Sequence, residues 1–161
     1  IEFFGTEKNT SVVTEIMVGR QPITVLATHP FPPVKTSFFH SRNQQLDLIR
    51  QYLEDLRSEA VRSQPPHQII LAGDLNTTMW SPYYQRLVRK TNLKNARSGF
   101  GILPTWPTPG TYATIPRALT PLLSIPIDHC LLSHGLDVTD IHVGTDTGSD
   151  HRPLVVDIRV P

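Results

Sequence analysis

Asp150 and His151 stand side by side in Gly148-Ser149-Asp150-His151-Arg152-Pro153, immediately before the alternating run Leu154-Val155-Val156-Asp157-Ile158. A carboxylate beside an imidazole on a loop that feeds a strand can ligate a metal, activate a water or stabilise a phosphoryl oxygen. The sheet anchors the backbone while the polar groups stay free. The alternative is a solvated loop. Two further polar insertions interrupt apolar runs upstream. Gly73-Asp74-Leu75-Asn76 ends the run Gln68-Ile69-Ile70-Leu71-Ala72. Read as extended chain, it points Asp74 and Asn76 the same way. A carboxylate and a carboxamide on one face can orient a water, bind a hard cation or hold a phosphate oxygen. The same residue types are also the usual turn formers. Ile127-Asp128-His129 places an acid inside an apolar strand, where it must be paired or solvated. Asp128 is then either a water-facing edge residue or the acceptor that fixes the tautomer of a histidine elsewhere. His129 points to the opposite face and reads as structural.

The elements that must position these groups alternate between strand and helix patterns. Ser11 to Val18 is alternating and β-branched, Gly19-Arg20-Gln21-Pro22 is a turn, and Ile23 to Ala27 is a second strand that delivers Thr28-His29-Pro30. After a Pro-rich loop, Ser41 with Gln44 predicts a capping box. Leu46, Ile49, Leu53, Leu56 and Ala60 then hold one helical face, with Glu54, Asp55, Arg57 and Glu59 on the other, up to a stop before Pro65-Pro66. The near-continuous apolar run 68–72 predicts a strand covered on both faces. Ser81-Pro82 starts a helix to about Lys90, with proline at its first position. Residues 98–126, rich in Gly, Pro and Thr, form a long irregular segment of the kind that is functional or mobile. Strands follow at 125–133, 136–143 and 154–160. Helices between strands predict a two-layer or sandwich α/β arrangement.

The 161 residues fit one domain, 1–161, and 39% apolar against 18% charged residues can build a core. A net charge of +1 argues against a strongly basic nucleic-acid scaffold and leaves a local phosphate site open. The single cysteine, Cys130, excludes an internal disulfide and a cysteine-based zinc site, and reads as a small buried hydrophobe. No stretch is long and apolar enough for a membrane span. The chain opens Ile1-Glu2-Phe3-Phe4, without Met, and reads as a piece of a longer protein whose anchor or targeting segment can lie upstream.

Taken in order, Thr28-His29-Pro30, Gly73-Asp74-Leu75-Asn76-Thr77, Ile127-Asp128-His129 and Gly148-Ser149-Asp150-His151-Arg152-Pro153 resemble the endonuclease/exonuclease/phosphatase superfamily. The segments Asn76 to Pro82, Thr105-Trp106-Pro107 and Ile125 to His129 resemble its uncharacterised bacterial branch, whose members often carry membrane helices ahead of the domain. The resemblance implies a deoxyribonuclease I-like four-layer α/β/β/α sandwich, here without its N-terminal strands. It also implies a hydrolase acting on phosphate esters with Mg²⁺ or Mn²⁺. Asp74 would orient or deprotonate the attacking water, and Asn76 would hold phosphate and water. His151 would be the base or phosphate-stabilising group, buttressed by Asp128. His29 would donate to a phosphate oxygen. Asp150 would help Asp74 and Asn76 hold the cation. Implied partners are a nucleic acid, or a phospholipid or small-molecule phosphate ester. The setting would be a soluble domain, exposed on a membrane-anchored bacterial protein where an upstream anchor exists. Oligomeric state is not implied.

The chain departs from the family pattern in one respect: no strand-end Glu stands where the principal metal ligand belongs. Glu15 lies within a strand and Glu7 in a polar turn, so neither takes the role. A catalytically incomplete binding module is therefore the competing reading. Arg86, Arg89, Lys90, Lys94 and Arg97 read as a solvated face, with an anionic contact as the alternative. Trp80 and Trp106 read as packing residues, Phe31, Phe38 and Phe39 as loop packing, and His40, His67, His134 and His142 as surface residues.

Overall fold

A computed structural model describes residues 1–6, 9–60 and 67–160. Glu7 and the Pro65-Pro66 helix stop lie outside the described residues, as do the side chains of Glu59 and Ala60. Strands β2 (Asn9–Val18) and β3 (Gln21–Thr28) form the expected antiparallel hairpin. Its two-residue turn, Gly19-Arg20, has Gly19 at φ 62°, a conformation that a residue without Cβ adopts freely. Strand β1 (Glu2–Thr6) pairs with β2. Helix α1 (Thr36–Ala60) then crosses over to strand β4 (Gln68–Asp74), which lies parallel to β3. Helix α2 (Pro82–Thr91), strand β5 (Lys94–Asn95), the single turn α3 (Thr120–Leu123), and strands β6 (Asp128–Leu132), β7 (Asp137–Val143) and β8 (Leu154–Arg159) complete the order. One sheet runs β1-β2-β3-β4-β6-β5; β7 and β8 form a second, antiparallel sheet.

Side-chain alternation divides the core in two. Leu26, Ile69, Leu71 and Leu131 leave one face of the large sheet and meet Leu46, Ile49 and Leu53 of α1 and Tyr84 and Leu87 of α2. Ile23, Cys130 and Leu132 leave the other face and meet Ile141, Leu154, Val156 and Ile158 of the small sheet. The described residues thus stack as α/β/β. The apolar run 68–72 is buried from both sides, as its composition requires. On the face that meets the small sheet, Phe3, Ile16 and Val18 remain exposed, because β7 and β8 do not extend over β1 and β2.

Three details differ from the sequence reading. Helix α1 starts at Thr36, so Ser41 and Gln44 sit inside it and form no capping box. Aromatic packing supports the added N-terminal turn: Phe31 stacks on Phe38 at 4.8 Å, and Phe39 meets Tyr83 edge-on at 5.7 Å. Arg97 is not on a solvated face. It is 2% exposed, and its Nη2 donates to the Leu103 carbonyl. His67 is half-buried rather than superficial, with Nε2 2.9 Å from Thr24 Oγ1. Cys130 is buried as expected, and burial pushes its thiol up to about 11. No helix among the described residues is long and apolar enough to cross a membrane.

Candidate active site

The ends of three neighbouring strands converge on one edge. Strand β3 ends at Thr28 and releases His29; β4 ends at Asp74; β6 begins at Asp128, directly opposite Asp74 in the antiparallel register. Two carboxylates facing each other across a ladder repel. The loop before β8 brings His151 between them. His151 Nδ1 lies 2.8 Å from Asp128 Oδ2, and Nε2 lies 3.7 Å from Asp74 Oδ2. An ionised carboxylate only accepts, so Nδ1 carries the hydrogen and Nε2 is left facing Asp74. The 3.7 Å gap is too long for a hydrogen bond. His29 Nε2 approaches the same Asp74 oxygen at 3.5 Å, with its side chain 71% exposed.

Asp74 is the most enclosed of these groups, at 10% side-chain exposure. Burial raises its carboxyl above the ordinary range, and the facing Asp128 adds to that; the Asn76 N–H, His151 and His29 oppose it. The raised value means that the folded state binds this proton more tightly than the unfolded chain does. The group therefore favours the fold at acid pH, and the advantage is lost as pH rises through the raised value. At neutral pH, ionised Asp74 is a cost to stability. Asp74→Asn is accordingly expected to raise the melting temperature at pH 7. The gain should vanish near pH 3. A lower melting temperature for the variant at pH 7 would contradict this account.

Asn76 departs from the alternation read from the sequence. It adopts φ 48°, so the chain leaves extended geometry after Asp74 and the two side chains are not an i, i+2 pair on a strand. The Asn76 N–H instead donates to Asp74 Oδ1 at 2.7 Å, and its side-chain Nδ2 donates to the Pro30 carbonyl at 2.9 Å. Asp74, Asp128 and His151 offer ligand atoms within 4.8 Å of one another. Two facing acids and an imidazole are a donor set that a divalent cation fits, because the cation removes the repulsion between the acids. Among the described residues no Glu joins them. Asp150 does not join them either. It is exposed and lines a neighbouring pocket of about 380 Å³ with Thr108, Thr111, Arg117 and Asp146. A second cavity, of about 340 Å³, opens beside Asp128 over Ala72, Gly73 and Cys130, with Leu154, Val156 and Ile158 opposite.

His129 does point away from the site, as the strand pattern requires. Its Nε2–H donates to the Thr77 carbonyl at 2.8 Å, Arg97 Nη1 approaches Nδ1 at 3.5 Å, and burial pushes its pKa down to about 4. The ring is thus a neutral strut under the Asp74 loop. The irregular segment has a definite task that composition did not disclose. The Thr108 N–H donates to the Asp150 carbonyl, Thr108 Oγ1 to the Ser149 carbonyl, and the Arg152 N–H to the Thr105 carbonyl. These bonds tie the His151 loop from both sides, and the Trp106 ring lies 6.3 Å from the imidazole. Arg42 was also missed. Its signal was its place on the apolar stripe, one helical turn before Leu46.

No curated protein matches the chain. Many solved structures share its fold. An endonuclease/exonuclease/phosphatase from Beutenbergia cavernae DSM 12333 superposes with TM-score 0.69 at 22% identity, over 94% of this chain and 39% of that one. The human Nocturnin catalytic domain with bound sulfate gives 0.67 at 19%, over 94% and 53%. D. rerio TDP2 complexed with single-strand DNA product gives 0.67 at 13%, over 99% and 66%. The chain thus spans between about two-fifths and two-thirds of the length of these structures, and at such identities the likeness shows the deoxyribonuclease I-like fold alone. A family model supplies the assignment. It matches residues 4–151, which hold His29, Asp74, Asp128 and His151, and the chain belongs to the Endonuclease/Exonuclease/phosphatase family.

Proposed function

We propose that this domain is a metal-dependent phosphoesterase that hydrolyses a phosphodiester or phosphomonoester by in-line attack of water. The observation that carries the reading is the His151 imidazole held between the facing carboxylates of Asp74 and Asp128. Members of the family generally act on phosphate esters and usually depend on a divalent metal. Asp128 fixes the tautomer of His151, which presents Nε2 to a proton or to phosphoryl charge. Asp74 accepts from the attacking water through Oδ2 and keeps its own orientation through the Asn76 N–H on Oδ1. One Asn76 amide hydrogen is committed to Pro30, and the role proposed for the other is to hold a phosphate oxygen. The exposed His29 donates to a second phosphate oxygen. Bound Mg²⁺ or Mn²⁺ supplies charge neutralisation at the phosphate. Of the residues expected to hold it, Asp74 would do so within the cluster it forms with Asp128 and His151, with Asn76 beside it, whereas Asp150 lies in the neighbouring pocket.

Calorimetric titration with Mn²⁺ tests this. Heat that saturates with the wild-type chain and is lost in the Asp74→Asn, Asp128→Asn double variant is the expected result. The absence of a Glu beside the cluster, among the described residues, favours the second reading, a binding module that keeps the fold without the chemistry. No Mn²⁺ binding by the wild type would select it. Substrate class divides between nucleic acid and a lipid or small-molecule phosphate. The net charge of +1 favours the latter, and a steep loss of binding with salt would favour the former.

A further inference from the structure

We propose that Arg42 is a positioning residue for the site, setting the orientation of Asp74 by clamping the turn that follows it. Arg42 lies in α1, away from the strand ends, and is 5% exposed. Among the described residues it has no carboxylate partner, so its charge is buried without the usual compensation. What surrounds it is a built socket. Nε and Nη2 both donate to Asn43 Oδ1, at 3.0 and 2.7 Å, which leaves Nη1 aimed across to the Asn76 carbonyl at 2.8 Å. The Phe39 and Tyr83 rings lie 4.9 and 5.9 Å from the guanidinium carbon and offer their electron-rich faces.

The far end of that bond is what makes the arrangement functional. Asn76 sits in the left-handed region, at φ 48°, where an L-residue is held by its surroundings. Its carbonyl is taken by Arg42, its side chain by Pro30 and its N–H by Asp74 Oδ1. With both its backbone N–H and its C=O fixed, the residue cannot rotate. The Asp74 carboxylate is then held with Oδ2 turned to His29 and His151. A lysine would keep the charge, but it has no planar fork with which to grip Asn43 and Asn76 together. The clamp would slacken without removing any group that meets substrate.

Arg42→Lys in the full chain tests this, with amide hydrogen exchange and steady-state kinetics as readouts. Exchange at the Asn76 amide should accelerate about tenfold or more, because its acceptor is no longer held in place, while Leu71 and Leu131 keep wild-type rates. In turnover, kcat should fall about tenfold to a hundredfold and by more than KM rises, because Asp74 is misplaced while His29 keeps its contact with the phosphate. Asn43→Ala loosens the same fork without touching the arginine and should show the same pattern more weakly, which covers failure of the lysine variant to fold. Unchanged exchange at Asn76 in both variants overturns the proposal. So does an equal acceleration at Asn76, Leu71 and Leu131, which marks a purely global role. Only the kinetic arm rests on the phosphoesterase reading. Absence of wild-type turnover together with a local response at Asn76 counts against that reading and for this one.

Discussion

His151→Ala is expected to lower phosphate-ester hydrolysis by about 10²- to 10⁴-fold, the range that a positioned acid–base group supplies. The fold should not pay for this loss, for a reason visible in the loop. The Ser149 to Arg152 stretch is tied down through main-chain groups: the Asp150 carbonyl accepts from the Thr108 N–H, the Ser149 carbonyl from Thr108 Oγ1, and the Arg152 N–H donates to the Thr105 carbonyl. None of these bonds uses the imidazole. The side chain is also 26% exposed, so its removal leaves no sealed cavity. The expected result is thus an inactive variant with wild-type circular dichroism and a melting temperature within a few degrees of the parent, since its one short bond is a partly solvated hydrogen bond. Asp128→Asn should act through the same imidazole, because an amide in place of the carboxylate no longer dictates which ring nitrogen carries the hydrogen. If turnover of a generic phosphodiester survived His151→Ala, the assignment of this residue to the chemistry would be wrong.

Why these residues were legible in the sequence, and others not, follows from how each is positioned. Asp74, Asp128 and His151 stand at the ends of runs whose period names them as strands. A polar residue that interrupts such a run is conspicuous, and burial within a sheet makes it costly unless it has a task. His29 was readable for the same reason, since β3 delivers it. Adjacency between strands was not readable. Periodicity places Asp74 at the end of β4 and Asp128 at the start of β6, but only pairing of those strands sets the two acids face to face. Asn76 shows the limit of strand logic, because its left-handed conformation ends the alternation just where it was applied. Arg97 and Arg42 show another limit. A guanidinium on a helix or in a turn reads as solvated by default, and only tertiary contacts reveal that Leu103, His129 and Asn76 receive it instead. Helix α1 starts ahead of the Ser41 cap signal because Phe38 stacks on Phe31 of the preceding loop and Phe39 meets Tyr83 of α2, and this packing outweighs the local preference.

Gly73→Ala is expected to destabilise the domain by about 3–5 kcal/mol, at the severe end for a single methyl group. Two effects combine. Gly73 has φ 144°, a backbone conformation that L-residues rarely adopt. A Cβ built there would also lie 1.9 Å from the Thr28 carbonyl oxygen and 3.0 Å from its carbon. That obstacle is main chain at the end of β3, and it cannot swing aside as a side chain would. Thr28 is held by its pairing with Ser11 and by the 2.8 Å contact between the two hydroxyls, which Gln45 Nε2 extends with a 2.8 Å bond to Ser11. Relief must therefore come from moving β3 and β4 apart at the point where one releases His29 and the other ends in Asp74. Gly19→Ala separates the two effects. Gly19 has φ 62° with nothing within 4 Å of the added carbon, so its cost should be only about 1 kcal/mol of backbone strain. Urea unfolding of both variants gives the comparison. Equal losses would mean that the close approach of Gly73 to Thr28 contributes nothing. A loss several times larger at Gly73, with hydrolysis falling in whatever fraction remains folded, would show that one hydrogen-only position sets the spacing of the strands and of His29 and Asp74 at their ends.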